Sequence, residues 1–194
     1  MSNVKIKKAK IKDDIFLEVE YTEELPGHGK KDMKLTCTVP VHQDLKNSFK
    51  KLDKHLALLC EEIDLPAKVK NIDEWEPEEI SSFAVRGFTI GGSDDTEGCT
   101  LGGIKWGIYG SFSLNTPFQK YSTSEYKYID ALASDIQACL YEVDEYLFKG
   151  KRAPEQQLAM DFDDAEEQAG DDDLDLAEIE NPKPKKGRKK KTEE

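Results

Sequence analysis

The histidines and cysteines are the residues that could ligate a metal or act in catalysis, and their spacing argues against both roles. No metal-ligand spacing joins the histidines, which are His28, His42 and His55. The cysteines are far apart and form neither a zinc knuckle nor a redox dithiol: Cys37, Cys60, Cys99 and Cys139. The chain has no nucleophile elbow and no phosphate-binding glycine loop. We therefore expect a non-enzyme with no catalytic residues, metal or cofactor. We expect His55 to lie near the polar edge of a helix.

Lysines and exposed aromatic rings could instead bind nucleic acid, because rings stack on bases and lysines contact phosphates. The region from 106 to 128 is rich in aromatic residues. Trp106 and Phe112 share an alternating pattern with Ile104, Ile108 and Leu114, so we expect them to pack in the core. The candidate nucleic-acid contacts of the folded part are Lys5, Lys7, Lys10, Lys12, Lys105 and Tyr109. The lysines of the first strand have an equal alternative role, which is to guard a sheet edge.

A short apolar cluster stands in the polar segment that follows the last predicted helix. Such a cluster is typically buried by a partner protein. The stretch Gln157-Leu158-Ala159-Met160-Asp161-Phe162 resembles the bacterial sliding-clamp-binding hexapeptide Gln-Leu-x-Leu-x-Phe, with Met160 where leucine is usual. The resemblance implies a sliding clamp or another replication protein as partner, contacted by Gln157, Leu158, Met160 and Phe162. Two alternatives stay open: the stretch folds back on its own domain, or it binds a different partner.

Charge divides the chain into segments of opposite character, although the net charge is −12. Residues 71–150 carry −9 and residues 151–180 carry −10, which argues against tight binding of a duplex through a broad basic face. Residues 181–194 carry +5, and there we expect Lys186, Arg188 and Lys189 to contact nucleic acid. A nuclear localisation signal and a polyampholyte that pairs with the acidic run are the alternatives.

Alternating and helical patterns predict the elements that position these residues. Val4 to Ile11 reads as an exposed or edge strand, and two further strands follow up to Pro40. Residues 43–63 have the period of an amphipathic helix. Residues 82–114 form a second strand-rich block with a hairpin tip at 93–97, and residues 104–114 read as one strand. A last helix, with Ser122 and Glu125 spaced as a capping box, ends at Gly150.

The order of these elements predicts an α+β fold in which a two-layer antiparallel sheet carries two amphipathic helices. We expect an α+β domain over residues 1–150 and a disordered tail over residues 151–194, acidic and then basic. No window approaches the roughly 18 apolar residues of a membrane span, which predicts a cytoplasmic protein without a membrane partner.

The combination resembles phage-encoded accessory proteins of DNA metabolism. We expect a non-catalytic accessory from a phage or prophage that acts in replication or recombination, binds single-stranded DNA and is recruited by its tail peptide. The alternative is an acidic inhibitor that imitates DNA and captures a host or defence protein. The sequence pattern does not specify the oligomeric state.

Overall fold

The computed structural model describes residues 3–25, 27–63, 69, 71–75 and 78–154. This part of the chain has the α+β fold that the sequence predicts, with an antiparallel sheet and two helices. The strands are β1 (Asn3–Lys12), β2 (Phe16–Leu25), β3 (Gly29–Pro40), β4 (Phe83–Gly91), β5 (Gly98–Gly107), β6 (Gly110–Asn115) and β7 (Gln119–Lys120). The helices are α1 (Gln43–Leu59) and α2 (Ile129–Phe148). Short 3-10 helices lie at Ile72–Glu74, Glu78–Ser82 and Asp94–Thr96.

The strand order is β3-β2-β1-β4-β5-β6, and β7 pairs with β5 beyond the end of β6. Of the two alternatives for the first strand, exposed or at an edge, the edge alternative is wrong, because β1 lies between β2 and β4. Its lysines do not mark an edge. One face of the sheet is open to solvent, so alternate side chains of a central antiparallel strand also reach water.

Both helices cover the other face of the sheet and form the core with it. Leu17 and Val19 of β2, Leu52 of α1 and Ile136 of α2 are completely buried there. α1 ends four residues earlier than predicted, because Glu61 adopts a left-handed conformation with φ of 56° directly after the capping residue. The chain remains attached beyond Gly150, since Ala153 N–H donates to the Pro40 carbonyl.

The predicted capping box does not begin α2. Tyr128 is the N-cap residue, and its side chain makes no capping hydrogen bond. The Ser122 hydroxyl instead donates to the Asp95 carbonyl, which holds the loop before β5. The predicted end of the helix is confirmed, because Gly150 follows it with φ of 73°, a conformation that favours glycine.

Residues 104–114 form a hairpin and not the predicted single strand. Gly107 pairs with Gly110, so the chain reverses through a two-residue turn at Ile108 and Tyr109. The predicted hairpin between β4 and β5, with its tip at 93–97, is confirmed. Neither α1 nor α2 is long and apolar enough to cross a membrane.

Candidate nucleic-acid interface

A glycine-floored trough runs across the open face of the sheet. Lys10 of β1 lies opposite Gly87 of β4, Gly87 opposite Gly102 of β5, and Gly102 opposite Asn115 of β6. The two glycines place no side chain in the middle of this row, and the resulting trough has a volume of about 460 Å³. A Cβ at Gly87 would lie 2.9 Å from the Ala9 carbonyl oxygen, so the close approach of β1 and β4 requires glycine there.

Three cations line one side of this trough: Lys8, Lys10 and Arg86. The Lys8 ammonium lies 3.5 Å from a Glu20 carboxylate oxygen, and both side chains are partly exposed. Lys10 makes no ion pair with any residue that the structure describes, although it is close enough to Glu18 to lower the pKa of that carboxyl. Its charge is therefore available to an incoming anion.

Arg86 projects onto the open face because it occupies a bulge. The pairing of β4 with β5 shifts between Val85 and Gly87, which leaves Arg86 outside the regular ladder. Its guanidinium pairs with Asp14, a residue of the β1–β2 turn. Burial lowers the pKa of Arg86, and the nearby charge of Asp13 opposes that shift. The group remains a cation at any physiological pH.

Trp106 continues the trough toward the tip of the β5–β6 hairpin. Its ring lies 5.7 Å from the Arg86 guanidinium carbon, and its side chain is 45% exposed. Phe112 is 59% exposed, so the expectation that these two rings pack in the core is wrong. The turn reverses the chain between them, which places Trp106 on the open face and Phe112, opposite Lys105, on the helix-covered side. Tyr109 at the tip is 98% exposed, as expected.

The predicted lysine contacts do not gather at one site. Lys5 pairs with Glu97 at 3.0 Å and Lys7 pairs with Asp32 at 2.6 Å. Lys12 is exposed at the end of β1. Lys10 alone among the predicted residues lines the trough.

Lys105 lies on the helix-covered side of the sheet, away from the trough. Its ammonium pairs with Glu62 at 2.7 Å, just beyond α1, and stands 5.3 Å from the centroid of the Phe83 ring. Its neighbours in β5, Ile104 and Trp106, are on the open face. This placement follows from strand alternation, because neighbouring residues of one strand point to opposite faces.

The sequence reasoning missed Arg86, Gly87, Gly102 and Asn115. One signal was available, because Arg86 is the only arginine before residue 152 and stands directly before a glycine within a strand pattern. The pairing that brings these residues together joins segments far apart in sequence, which periodicity does not reveal.

Across β2 and β3 the same face is internally neutralised. The Lys34 ammonium lies 3.0 Å from Glu18 and 3.4 Å from Glu20. The hydrogen bond from Lys34 is the main cause that lowers the pKa of Glu18. These acids and bases neutralise one another, whereas the trough contains Lys10, which makes no ion pair with any described residue.

His55 does not lie at the polar edge of α1 but is completely buried. Its Nδ1 is 2.8 Å from the Tyr126 hydroxyl, and its Nε2 is 3.3 Å from an Asp135 carboxylate oxygen. An ionised carboxylate can only accept, so Nε2 donates to Asp135 and Nδ1 accepts from Tyr126 when the ring is neutral. This network joins α1 to the first half of α2, with the His55 ring shielded from solvent.

The remaining predicted sites lie outside the described residues: Gln157, Leu158, Met160, Phe162, Lys186, Arg188 and Lys189. Within the described ranges, no three His, Cys, Asp or Glu side chains gather closely enough to hold a metal ion. Comparisons with protein-family models, with curated proteins and with solved structures each found no match to this chain.

Proposed function

We propose that the protein binds single-stranded nucleic acid in the trough of its open sheet face, as a non-catalytic accessory of DNA metabolism. The observation that carries the proposal is the row of Lys10, Gly87, Gly102 and Asn115, flanked by Lys8 and Arg86 and continued by Trp106. Cations along a groove bind the backbone of a strand, and an exposed ring stacks on its bases.

The geometry favours one strand over a duplex. Lys8, Lys10 and Arg86 line one trough of about 460 Å³, while the β2–β3 half of the face is neutralised by its own ion pairs. A duplex needs phosphate contacts along two backbones, and the net charge of −12 opposes a broad contact. Ser113 and Asn115 on the far wall can donate hydrogen bonds to base edges or sugars. Because both side chains are neutral, they do not repel the phosphates of the nucleic acid.

Recruitment through residues 157–162 to a sliding clamp or another replication protein is part of the same proposal and rests on the sequence resemblance alone. A phage or prophage source has the same basis. The basic run near the end of the chain would add phosphate contacts that do not depend on sequence.

The alternative function, an acidic decoy of DNA, receives less support from the charges of α2. Lys151 pairs with Glu142 at 2.7 Å, and Lys149 pairs with Asp144 and Glu145. A decoy presents unpaired carboxylates at the spacing of phosphates, whereas these acids are engaged by neighbouring lysines.

Fluorescence anisotropy with labelled single-stranded oligonucleotides, measured over a range of salt concentrations, tests the proposal. Trp106→Ala should weaken binding by roughly 1–3 kcal/mol through lost stacking. Lys10→Glu should weaken binding and also reduce the slope of log affinity against log salt by at least about 0.7. Both substitutions fall on solvent-exposed side chains, so thermal unfolding should show little change.

Matched controls separate the trough from general electrostatics and from general aromatic exposure. Lys31→Glu makes the same charge change in β3, and Tyr141→Ala removes an exposed ring from α2. Both controls should bind like the parent protein. Absence of binding at low salt, or equal losses in Lys31→Glu and Lys10→Glu, would refute the trough as the binding site. Capture of a host protein without oligonucleotide binding would favour the decoy.

A further inference from the structure

The two edges of the sheet differ in a way that bears on assembly. β3 carries Lys30, Lys31, Asp32 and Lys34 and ends at Pro40, features that discourage another strand from pairing. β6 has the sequence Gly-Ser-Phe-Ser-Leu-Asn, without a charge or a proline. Its residues are exposed except for Leu114, which is partly buried. A neutral, exposed edge strand is a template for a further strand.

The direction of the free backbone groups of β6 follows from one hydrogen bond. The N–H of Thr116 donates to the Leu101 carbonyl at 2.9 Å, so Thr116 points its backbone toward β5. Backbone direction alternates along an antiparallel strand. Ser111, Ser113 and Asn115 therefore point their N–H and C=O groups away from β5, and no described residue bonds to these groups.

We propose that a second copy of this chain pairs with β6 in an antiparallel, two-fold symmetric manner centred on Ser113. In this register Ser113 lies opposite its own copy, and Ser111 lies opposite Asn115 of the other molecule. Each of these pairs exchanges both backbone hydrogen bonds, which uses every outward-facing group of the strand.

The same register produces a favourable side-chain match. Phe112 lies opposite Leu114 of the second copy on the helix-covered side, which buries part of a ring that is exposed in one molecule. Serine and asparagine side chains meet on the open face, where they can hydrogen-bond across the pair. A shift by one residue in either chain would move Phe112 to a polar neighbour and leave outward groups without partners.

The lack of charge on β6 suits a second copy as the occupant. At a two-fold axis the central residue faces itself, so a charged residue there would repel its own copy. β6 has no charge at any position, while β3 would bring its clustered lysines together. The strand is thus suited to its own copy, even though the whole chain carries a net charge of −12.

One consequence rests on the proposed function. Asn115 ends the glycine-floored row at β6, so pairing through β6 would join the troughs of two molecules into one continuous path. The length of oligonucleotide protected by the protein would then be about twice that of one trough. The pairing itself is measured without nucleic acid, so its failure and the failure of nucleic-acid binding are distinguishable.

Sedimentation velocity of the full chain over a concentration series tests the pairing. We expect a species of twice the 22.0 kDa chain mass that dissociates on dilution. Ser113→Pro removes an outward N–H that β5 does not use, and Ser113→Lys places like charges at the axis. Each should raise the dissociation constant at least about tenfold, while circular dichroism and the melting temperature of the single chain change little.

Thr36→Lys is the matched control, because it adds the same charge to the opposite edge strand. It should leave the dissociation constant unchanged. A parent protein that stays at one chain mass at every concentration would overturn the pairing. A dimer that persists in a folded Ser113→Lys protein would also overturn the proposed pairing. If Ser113→Pro fails to fold, the Ser113→Lys variant alone tests the pairing.

Discussion

The carboxylate of Asp53 accepts a hydrogen bond from the backbone N–H of Val85 at 2.7 Å. This contact joins α1 to β4 directly before the bulge that projects Arg86 onto the open face. The described pairing of β1 with β4 starts only at Gly87, so Asp53 supplies an acceptor where the neighbouring strand does not reach. A buried group on the helix side thus positions a cation of the proposed binding site.

The stability of the protein should fall as the pH rises through neutrality because of Asp53. Burial raises the pKa of this carboxyl to about 7, and the hydrogen bond from Val85 only partly opposes that shift. The folded state therefore holds the proton more tightly than the unfolded state, so the stabilisation is complete below about pH 4 and is lost as the pH approaches and passes 7. One pKa unit corresponds to about 1.4 kcal/mol, which makes the loss a few kcal/mol at most.

Asp53→Asn should remove this part of the pH dependence while keeping an oxygen acceptor for Val85. Urea unfolding at pH 5, 6, 7 and 8 should show the variant gaining stability relative to the parent as the pH increases. Asp95→Asn, at an exposed position before β5, is the control and should follow the parent curve. Parallel curves for Asp53→Asn and the parent would show that the carboxyl does not titrate in this range.

Tyr126→Phe should lower the free energy of unfolding by roughly 1–3 kcal/mol, because it leaves the buried Nδ1 of His55 without a partner. The change removes a single oxygen and keeps the ring contact between the two residues. Tyr109→Phe removes the same atom from a fully exposed ring and should have no effect. Chemical denaturation of both variants makes the comparison, and equal stabilities would contradict the network.

Gly103→Ala should destabilise the fold by about 1–3 kcal/mol or more through overpacking. The added methyl group would overlap the carbonyl oxygen of Ala84 and the side chain of Leu56, so α1 could not keep its distance from β5. Thermal unfolding measures the effect. A melting temperature equal to that of the parent would mean that α1 does not pack as closely on β5 as the structure shows.

Gly102→Val, one position away, should affect binding more than folding. Its side chain would rise into the trough on the open face, where a Cβ meets the amide oxygen of Asn115 at 3.1 Å. We expect single-strand affinity to fall at least about tenfold, because the valine side chain would block access to the trough. Folding should change little, because valine is favoured in strands. Anisotropy titration and a melting curve on the same sample distinguish the two effects. Unchanged affinity would place the nucleic acid elsewhere.

Thiol reagents should distinguish the cysteines in the native protein. Cys99 and Cys139 are completely buried, and burial raises the pKa of Cys139 to about 12. Cys37 and Cys60 are only partly buried, although burial raises their pKa values as well. Because the thiolate is the reactive form, alkylation followed by mass spectrometry should modify Cys37 and Cys60 first. Early modification of Cys139 would indicate local opening of α2.

The regular elements could be predicted from the sequence because one side of each faces the core. The alternation from Ile15 to Tyr21 and the three- and four-residue steps from Leu45 to Leu56 each reflect a single buried face. Two antiparallel blocks and two amphipathic helices then leave few arrangements other than a sheet with helices on one side.

The candidate site could not be predicted, because it depends on partners in sequence-distant strands. Lys10 and Gly87 are neighbours only through the pairing of β1 with β4. The two-residue turn at Ile108 and Tyr109 puts Trp106 and Phe112 on opposite faces, whereas one continuous alternation over residues 104–114 puts both on the core face. The lysines of β1 suited an edge strand and a central strand equally, and only the sheet order separates the two.

The short contact between β1 and β4 divides the sheet into two meanders. Residues 3–40 supply one and residues 83–115 the other, and their ladder spans only Lys8 to Lys10 against Gly87 to Thr89. Each meander can form from local hairpins, whereas the β1–β4 ladder joins segments almost eighty residues apart in sequence and forms more slowly. Lys10 belongs to the first meander and Gly102 to the second, so neither meander alone forms the complete trough. Binding of a ligand in the trough would therefore require that the two meanders have already paired.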